Sequence, residues 1–280
     1  MRLSLSTNWC NRGGNCSGEE IVESALSLGI GEIELGYNTT DSQVPGLKRR
    51  RGEIVVGSVH AFAPVPISAP SGCPELYQLA SFDPAARTLA LLHVLKNIEF
   101  AAEMGARTLV LHAGRVSACS LFRRRSAAMR TRRGRKMLDV LKGEIGRIVP
   151  VLEESGVALA LENMPYIEGF PNLAELKNLT EEFKGAPVKG WLDTGHYHLG
   201  SLQGWEKMPL DECDGLFAGM HINDVVDGDD HLAPGEGNVD FKSISSLARR
   251  VGHLVLEPSP AVSRERLEQG IKHIKEVWQI

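Results

Sequence analysis

The sequence predicts an α/β protein folded as a single (β/α)8 barrel with eight parallel strands. Short apolar runs with strand character alternate with helix-like segments about eight times along the chain. Most of these runs are apolar enough to be buried on both faces, which is typical of parallel sheets covered by helices. A chain of 280 residues can hold all of these units in one domain, because α/β barrels of this size are single domains.

The predicted strands are spaced regularly. They occupy residues 2–7, 32–36, 54–60, 108–112, 157–163, 190–193, 216–223 and 253–257. An open, doubly wound sheet is the alternative architecture for this order, but it needs a glycine-rich turn after its first strand. Residues 12–15, Arg-Gly-Gly-Asn, match that turn poorly, so the closed barrel is favoured.

Helices are predicted where apolar residues recur at helical spacing between start and stop signals. They occupy residues 17–29, 44–50, 84–105, 137–155, 172–183, 241–251 and 263–278. Residues 194–198 are predicted as an irregular exit from the sixth strand. Residues 61–83 form a Pro/Ser-rich loop without periodicity, and loops of that length in compact domains are usually functional.

The charge of the chain is unevenly distributed. The net charge is −4, yet residues 123–136 contain eight of the 31 basic residues and no acidic one. We predict residues 115–136 to be a basic insert after the fourth strand. It either closes over the barrel and binds a substrate phosphate through Arg123, Arg124 and Arg125, or it is a solvated loop. The acidic remainder would repel a polyanion.

The composition of the chain indicates the cellular compartment in which we expect the protein. The five cysteines are widely spaced and form no C-x-x-C pair, so neither a disulfide framework nor a cysteine zinc site is predicted. The N-terminal residues lack an apolar signal sequence, and no apolar run is long enough to span a membrane. We therefore expect a cytoplasmic protein without a membrane partner, which can form a homo-oligomer.

The strand ends carry the strongest functional signal. Six predicted strands end in a side chain that can bind a metal ion: His60, His112, Glu162, Asp193, His221 and Glu257. The carboxyl ends of barrel strands converge on one rim, where barrel enzymes have their active sites. His196 and the pair Asp229 and His231 extend the set, because imidazole and carboxylate are ligands for divalent metals. A bound divalent metal is predicted.

These strings resemble those of the xylose isomerase-like TIM barrel (AP endonuclease 2) superfamily along essentially the whole chain. The matching strings are S-V-H-A at His60, L-V-L-H-A-G at His112, L-E-N-M-P at Glu162, L-D-T-G-H at Asp193 and His196, M-H-I-N-D at His221 and Asp224, D-D-H-L-A-P-G-E-G-N-V-D-F at Asp229 and His231, and V-L-E-P at Glu257. Their order and placement identify the superfamily, whereas the subfamily stays open.

The resemblance to the sugar isomerases and epimerases implies one metal, such as Mn, Zn or Co. Its ligands would be Glu162, Asp193, His221 and Glu257. The metal would polarise a substrate carbonyl, and the two glutamates would remove and return the proton next to it. His196 would be a further catalytic residue that contacts a substrate oxygen. The expected partner is then a sugar or sugar phosphate.

The resemblance to endonuclease IV implies a second function, that of a phosphodiesterase with two or three zinc ions. The additional metal ligands would be His60, His112, His196, Asp229 and His231. Its substrate would be abasic-site DNA or another phosphate ester. The acidic body argues against a nucleic acid partner, because binding to duplex DNA needs several distributed Lys and Arg contacts. A third alternative is a barrel that binds a metal or ligand without turnover.

Aromatic side chains near the rim are candidates for stacking on a sugar ring. Trp9 follows the first strand, and Tyr166 follows the fifth. Both are predicted to contact substrate, although packing in the core or at the rim explains such residues equally well.

Overall fold

The computed structural model describes residues 2–11, 15–69, 71–116 and 127–280. Eight parallel strands pair in chain order, and the first pairs with the last, so that the sheet is closed. Closure confirms the predicted barrel and excludes the open sheet. The strands are β1 (Leu3–Ser6), β2 (Glu32–Leu35), β3 (Val55–His60), β4 (Thr108–Leu111), β5 (Ala158–Glu162), β6 (Val188–Asp193), β7 (Phe217–Ile222) and β8 (His253–Leu256).

The main helices surround the barrel and connect successive strands. They are α1 (Gly18–Ser27), α2 (Val44–Arg49), α3 (Pro84–Met104), α4 (Ala127–Ser155), α5 (Leu173–Glu182), α6 (Thr194–Leu202), α7 (Phe241–Ala248) and α8 (Arg264–Trp278). Several begin where the sequence supplies a cap: Ser17 and Glu20 form a reciprocal capping box at α1, and Asn172 and Glu175 form another at α5. Each box satisfies two backbone N–H groups that the helix leaves free.

Two helical predictions need correction. Helix α4 begins at Ala127, not at residue 137, so residues 127–136 of the predicted basic insert are its first turns. The glycine and the many charges there hid the helical period. Residues 194–198 belong to α6, because the Asp193 carboxylate accepts a hydrogen bond from the backbone N–H of His196 and caps the helix.

Apolar side chains fill the barrel beneath its carboxyl-terminal rim. Val110, Ala160, Trp191 and Val255 are fully buried and pack together inside the sheet. A Cβ at Gly219 would lie 2.5 Å from the Trp191 ring, so the absence of a side chain on β7 makes room for the indole. The barrel is therefore closed from below, and ligands enter from the rim.

Two short antiparallel strand pairs lie beyond the barrel strands. The first, here called the rim sheet, pairs Gly114–Arg115 with Gly169–Phe170. The second, here called the hairpin, pairs Asp224–Val226 with Asp229–Leu232. The Asp224 carboxylate is buried and accepts hydrogen bonds from four backbone N–H groups between residues 225 and 239. It thereby orders the segment that follows the hairpin.

Helices in the described ranges lack the combination of length and apolar character that crossing a membrane requires.

Candidate metal centre

The predicted strand-end side chains meet at the carboxyl-terminal end of the barrel. Each is at most 7% exposed. They are His60, His112, Glu162, Asp193, His221 and Glu257. Side chains alternate along a strand, so the last inward-pointing residue of each strand faces the barrel axis near the rim. The cluster contains three imidazoles and three carboxylates. Burying these charges is costly unless groups of opposite charge lie next to one another.

Of the four residues predicted to bind one metal, the three carboxylates lie around a single atom of the fourth, Nδ1 of His221. The nearest carboxylate oxygens of Glu257, Glu162 and Asp193 lie 3.1, 3.3 and 3.9 Å from it. Nδ1 is buried and has no hydrogen bond. An imidazole lone pair facing three carboxylates is repulsive unless a proton or a metal ion lies among them.

Sequence reasoning missed Glu34, which lies at the centre of the barrel. Its Oε1 is 2.9 Å from Nε2 of His221, and its Oε2 accepts a hydrogen bond from the Ser58 hydroxyl at 2.7 Å. Both Glu34 and His221 are fully buried. With its Nε2–H donated to Glu34, His221 presents Nδ1 to the other carboxylates. A charged residue between Ile33 and Leu35 in an apolar strand was the signal that could have found it.

A second group shares the Glu162 carboxylate with the group around His221. The Oε2 atom of Glu162, which also approaches His221 Nδ1, is 3.3 Å from Nε2 of His60 and 3.2 Å from Nε2 of His112. The Oε1 atom of Glu162 is 3.1 Å from Nδ1 of His196. The ligand atoms of His60, His112 and Glu162 lie within 4.8 Å of one another, so Glu162 is shared between this group and the one around His221.

The hairpin brings Asp230, rather than the predicted Asp229, towards the centre. Ligand atoms of Asp230, His231 and His196 lie within 4.8 Å of one another, whereas Asp229 belongs to no such group in the described ranges and is exposed. Strand alternation predicted that Asp229 and His231 share a face. His231, however, has a φ of 56°, in the left-handed region, and this breaks the alternation.

Two asparagines that sequence reasoning also missed fix the position of Asp193. Asn163 accepts a hydrogen bond from the backbone N–H of Asp193 and donates one to its carbonyl. The Asn223 amide donates to the Asp193 carboxylate at 2.7 Å. Each asparagine follows a barrel strand directly, so that a polar amide one or two residues beyond a strand-end ligand was the available signal. These contacts orient the carboxylate for binding a cation.

Clustering shifts the pKa values of the central groups. Burial opposes the charged form of His196, but Asp193 and Glu162 outweigh it and raise its pKa to about 10. Burial likewise opposes protonation of His221, yet Glu257, Glu34 and Glu162 raise its pKa well above the usual value. Burial would raise the pKa of Glu162, but His112 and His221 lower it well below its usual range. For Glu257 burial prevails and raises the pKa.

The donor set suits a hard or borderline divalent cation. One imidazole nitrogen faces three carboxylates, and such ligands bind zinc, manganese or cobalt. The buried Nδ1 atom of His221, without a hydrogen-bond donor or acceptor, is the atom that a metal would satisfy. The residues therefore fit the predicted metal. His60, His112, His196, Asp230 and His231 supply imidazole and carboxylate atoms for any further ion.

A cavity of about 360 Å³ opens onto the centre through His112 and His196. Most of its wall comes from the segments after β4 and β5, including Arg115 and Tyr166, and Glu75 adds to it from the segment after β3. The predicted position of Tyr166 at the substrate is thus compatible with the structure. Trp9 is not on this wall: it is 4% exposed and donates its indole N–H to the Val262 carbonyl, so its predicted sugar contact is not supported. Arg123, Arg124 and Arg125 lie outside the described residues.

The geometry and the sequence define one class of protein. The chain belongs to the xylose isomerase-like TIM barrel family, whose model matches residues 22–277, and this confirms the resemblance inferred from the strand-end motifs. A search of curated proteins found no match.

Solved structures with the same barrel include several sugar epimerases. A D-psicose 3-epimerase with D-tagatose, from Clostridium cellulolyticum, has a TM-score of 0.74 and 13% identity, over 99% of both chains. The 3-keto-D-glucoside 4-epimerase of E. coli has a TM-score of 0.73 and 16% identity, over 99% of both chains. The IolI protein with a zinc atom has a TM-score of 0.71 and 15% identity, over 100% of this chain and 98% of that chain. At these identities the likeness establishes the fold.

Proposed function

We propose that the protein is a divalent-metal-dependent sugar isomerase or epimerase that moves a proton next to a metal-polarised carbonyl. The observation that carries the proposal is the position of Glu162 and Glu257, whose carboxylates approach the same atom, His221 Nδ1, at 3.3 and 3.1 Å. A metal held by Glu162, Asp193, His221 and Glu257 would supply Lewis acidity to the substrate carbonyl. Glu162 ends β5 and Glu257 directly follows β8, and these two strands are not neighbours in the barrel.

The two glutamates are placed to act as a base and an acid. One carboxylate takes the proton from the carbon next to the carbonyl, and the other returns a proton to the opposite face, which inverts that carbon. The roles exchange when the reaction runs in reverse. His196, with its Nδ1 3.0 Å from the Asn163 carbonyl oxygen, lines the cavity and is placed to contact a substrate oxygen.

The charges of the cavity favour an uncharged sugar over a sugar phosphate. Among the described residues, Arg115 is the one cation of the wall apart from the histidines, and its guanidinium already pairs with the Glu75 carboxylate. Glu168 also lines the wall. A phosphate group needs unpaired cationic or N–H donors. The names of the epimerases that share this barrel, which denote action on keto sugars, agree with this choice.

A second candidate, a multi-zinc phosphodiesterase, is supported by the additional ligand groups. His60, His112 and Glu162 form one group, and His196, Asp230 and His231 form another. Paired metals stabilise the attacking and leaving oxygens of phosphate ester cleavage. The acidic body of the protein favours the sugar enzyme.

Metal content and activity separate the two candidates. We expect about one equivalent of Mn, Co or Zn per chain after reconstitution and dialysis, measured by elemental analysis. The metal-loaded protein should epimerise ketohexoses such as D-tagatose and D-fructose. Two or three zinc equivalents, together with cleavage of an abasic-site duplex and no epimerisation, would overturn the proposal.

Metal binding is expected to release protons and to strengthen as pH rises. The pKa of His221, the imidazole among the four proposed metal ligands, is raised well above its usual value, so that imidazole carries a proton at neutral pH when no metal is bound. A coordinating nitrogen must give up its proton, so metal affinity increases as pH rises. Calorimetric titration of Mn²⁺ in two buffers of different ionisation enthalpy measures the released protons. Metal affinity that is independent of pH between about 6 and 8 would contradict this account.

A further inference from the structure

The first turns of α4 carry an arginine that the metal chemistry does not use. Arg130 is 4% exposed, although it belongs to the most basic stretch of the sequence. Its guanidinium donates to the Ile167 carbonyl at 2.9 Å and to the Gly169 carbonyl at 2.9 Å. It also forms a two-pronged ion pair with the Glu175 carboxylate at 2.7 and 2.8 Å. Buried arginines of this kind hold specific geometry, because their donors are fixed in one plane.

Gly134 supplies independent evidence that this position is built for the ion pair. It lies one turn after Arg130 on α4, and a Cβ there would lie 2.1 Å from the Arg130 guanidinium and 2.4 Å from Oε1 of Glu175. A glycine inside a helix is destabilising relative to alanine. The close approach of the guanidinium explains why glycine occupies this position. Arg130, Gly134 and Glu175 are called the Arg130 clamp below.

Arg130 of the clamp donates hydrogen bonds to the segment that forms one wall of the cavity. Residues Met164, Pro165, Tyr166, Glu168 and Gly169 line the cavity beside His112 and His196. This segment contains the carbonyl groups that Arg130 binds, and its end pairs with Gly114–Arg115 in the rim sheet. Arg133, on the same face of α4, donates to the Val116 carbonyl at 2.9 Å. Two arginines on one face of α4 therefore hydrogen-bond to backbone carbonyls in or next to both strands of the rim sheet.

We propose that Arg130 is a positioning residue that sets the substrate-facing wall at residues 164–169, and that it acts through the backbone rather than by contacting substrate. The inference rests on the proposed function for its kinetic consequence, but its structural consequence is independent of it. The proposed metal ligands lie at the ends of barrel strands, whereas the hydrogen bonds of Arg130 and Glu175 in the described residues reach Ile167, Gly169 and Asn172. Loss of the clamp therefore loosens the wall and leaves metal binding intact.

Two variants break the clamp in different ways, and each has a matched control on α4. Arg130→Met removes the donors, while Arg132→Met removes an arginine that is exposed. Gly134→Ala inserts a methyl group against the ion pair, while Gly143→Ala adds one where no atom lies within 4 Å. Arg130→Lys keeps the charge but loses the planar set of donors.

The effect of these variants is measured by backbone hydrogen exchange and by steady-state kinetics. We expect exchange across residues 164–171 to accelerate about tenfold in Arg130→Met and Gly134→Ala, with strand peptides and Mn²⁺ affinity unchanged, and neither control to show this. In the epimerase assay with D-tagatose, KM should rise about tenfold while kcat changes less than about threefold. Arg130→Lys should recover little of the loss.

Failure of this inference is distinguishable from failure of the proposed function. Without any epimerase activity in the parent protein, the exchange measurement still tests the clamp. Unchanged exchange at residues 164–171 in both clamp variants would overturn it. Equal acceleration in every peptide would also overturn it, since Arg130 would then stabilise the whole fold and not the wall.

Discussion

Replacing Glu162 with glutamine is expected to lower kcat for ketohexose epimerisation by about 10³-fold, within the range for loss of a positioned acid or base. The Glu162 carboxylate lies 3.1 to 3.3 Å from nitrogens of His60, His112, His196 and His221. A neutral amide cannot accept a proton, and it also presents an N–H₂ group to these imidazoles. Steady-state kinetics and metal content should be measured on the same sample.

The metal content distinguishes two causes of the expected loss. A Glu162→Gln protein that retains metal but has lost turnover identifies the carboxylate as a proton-transfer group. Loss of both identifies it first as a ligand. Retention of more than a tenth of parental kcat in the metal-loaded variant would contradict the proton-transfer role of Glu162.

Replacing Glu34 with glutamine should weaken metal binding by about 10- to 100-fold, the usual effect of removing the carboxylate behind a metal-binding histidine. Glu34 accepts the Nε2–H of His221 at 2.9 Å and contacts no other predicted ligand at hydrogen-bond distance in the described ranges. The amide can present N–H₂ to Nε2 and so favour the tautomer with its proton on Nδ1, where the metal would bind. Titration with Mn²⁺ or Co²⁺ measures the change.

The same strand provides a matched control for Glu34. Glu32 lies 3.4 Å from Nδ1 of His253, at the opposite end of the barrel, and is partly exposed. Glu32→Gln removes an equivalent carboxylate–histidine pair without touching the centre, so metal affinity should stay within about twofold of the parent, because exposed pairs contribute little. Equal losses in both variants would show that the effect arises from the barrel as a whole.

The sequence predicted the barrel and most of the centre because both follow from local patterns. Apolar runs set the strands, and residues at the ends of parallel strands meet at one rim, so Glu162, Asp193, His221 and Glu257 could be placed together without coordinates. What failed depended on backbone details or distant contacts. Because His231 adopts a left-handed backbone conformation, Asp230 rather than Asp229 lies next to His196 and His231. The sequence around His231 does not predict that conformation.

Long-range hydrogen bonds explain the other omissions. The partner of Glu34 is His221, 187 positions later in the chain, and an acidic residue within β2 does not by itself show which distant residue it contacts. The basic stretch was predicted as an insert because its charges obscured the helix. Arg130 is buried against Glu175, 45 positions later, so its role depends on tertiary packing that charge counting does not show.

Deuterium incorporation tests the central claim most directly. The metal-loaded protein should be incubated in D₂O with a panel of ketohexoses that includes D-tagatose and D-fructose, and the sugars analysed by NMR and mass spectrometry. Proton transfer through Glu162 and Glu257 predicts that deuterium enters at the carbon next to the carbonyl of the epimerised product, and that Glu162→Gln abolishes this exchange. Epimerisation without deuterium at that carbon, or a fully metal-loaded protein that exchanges no proton of any ketohexose, would contradict the account.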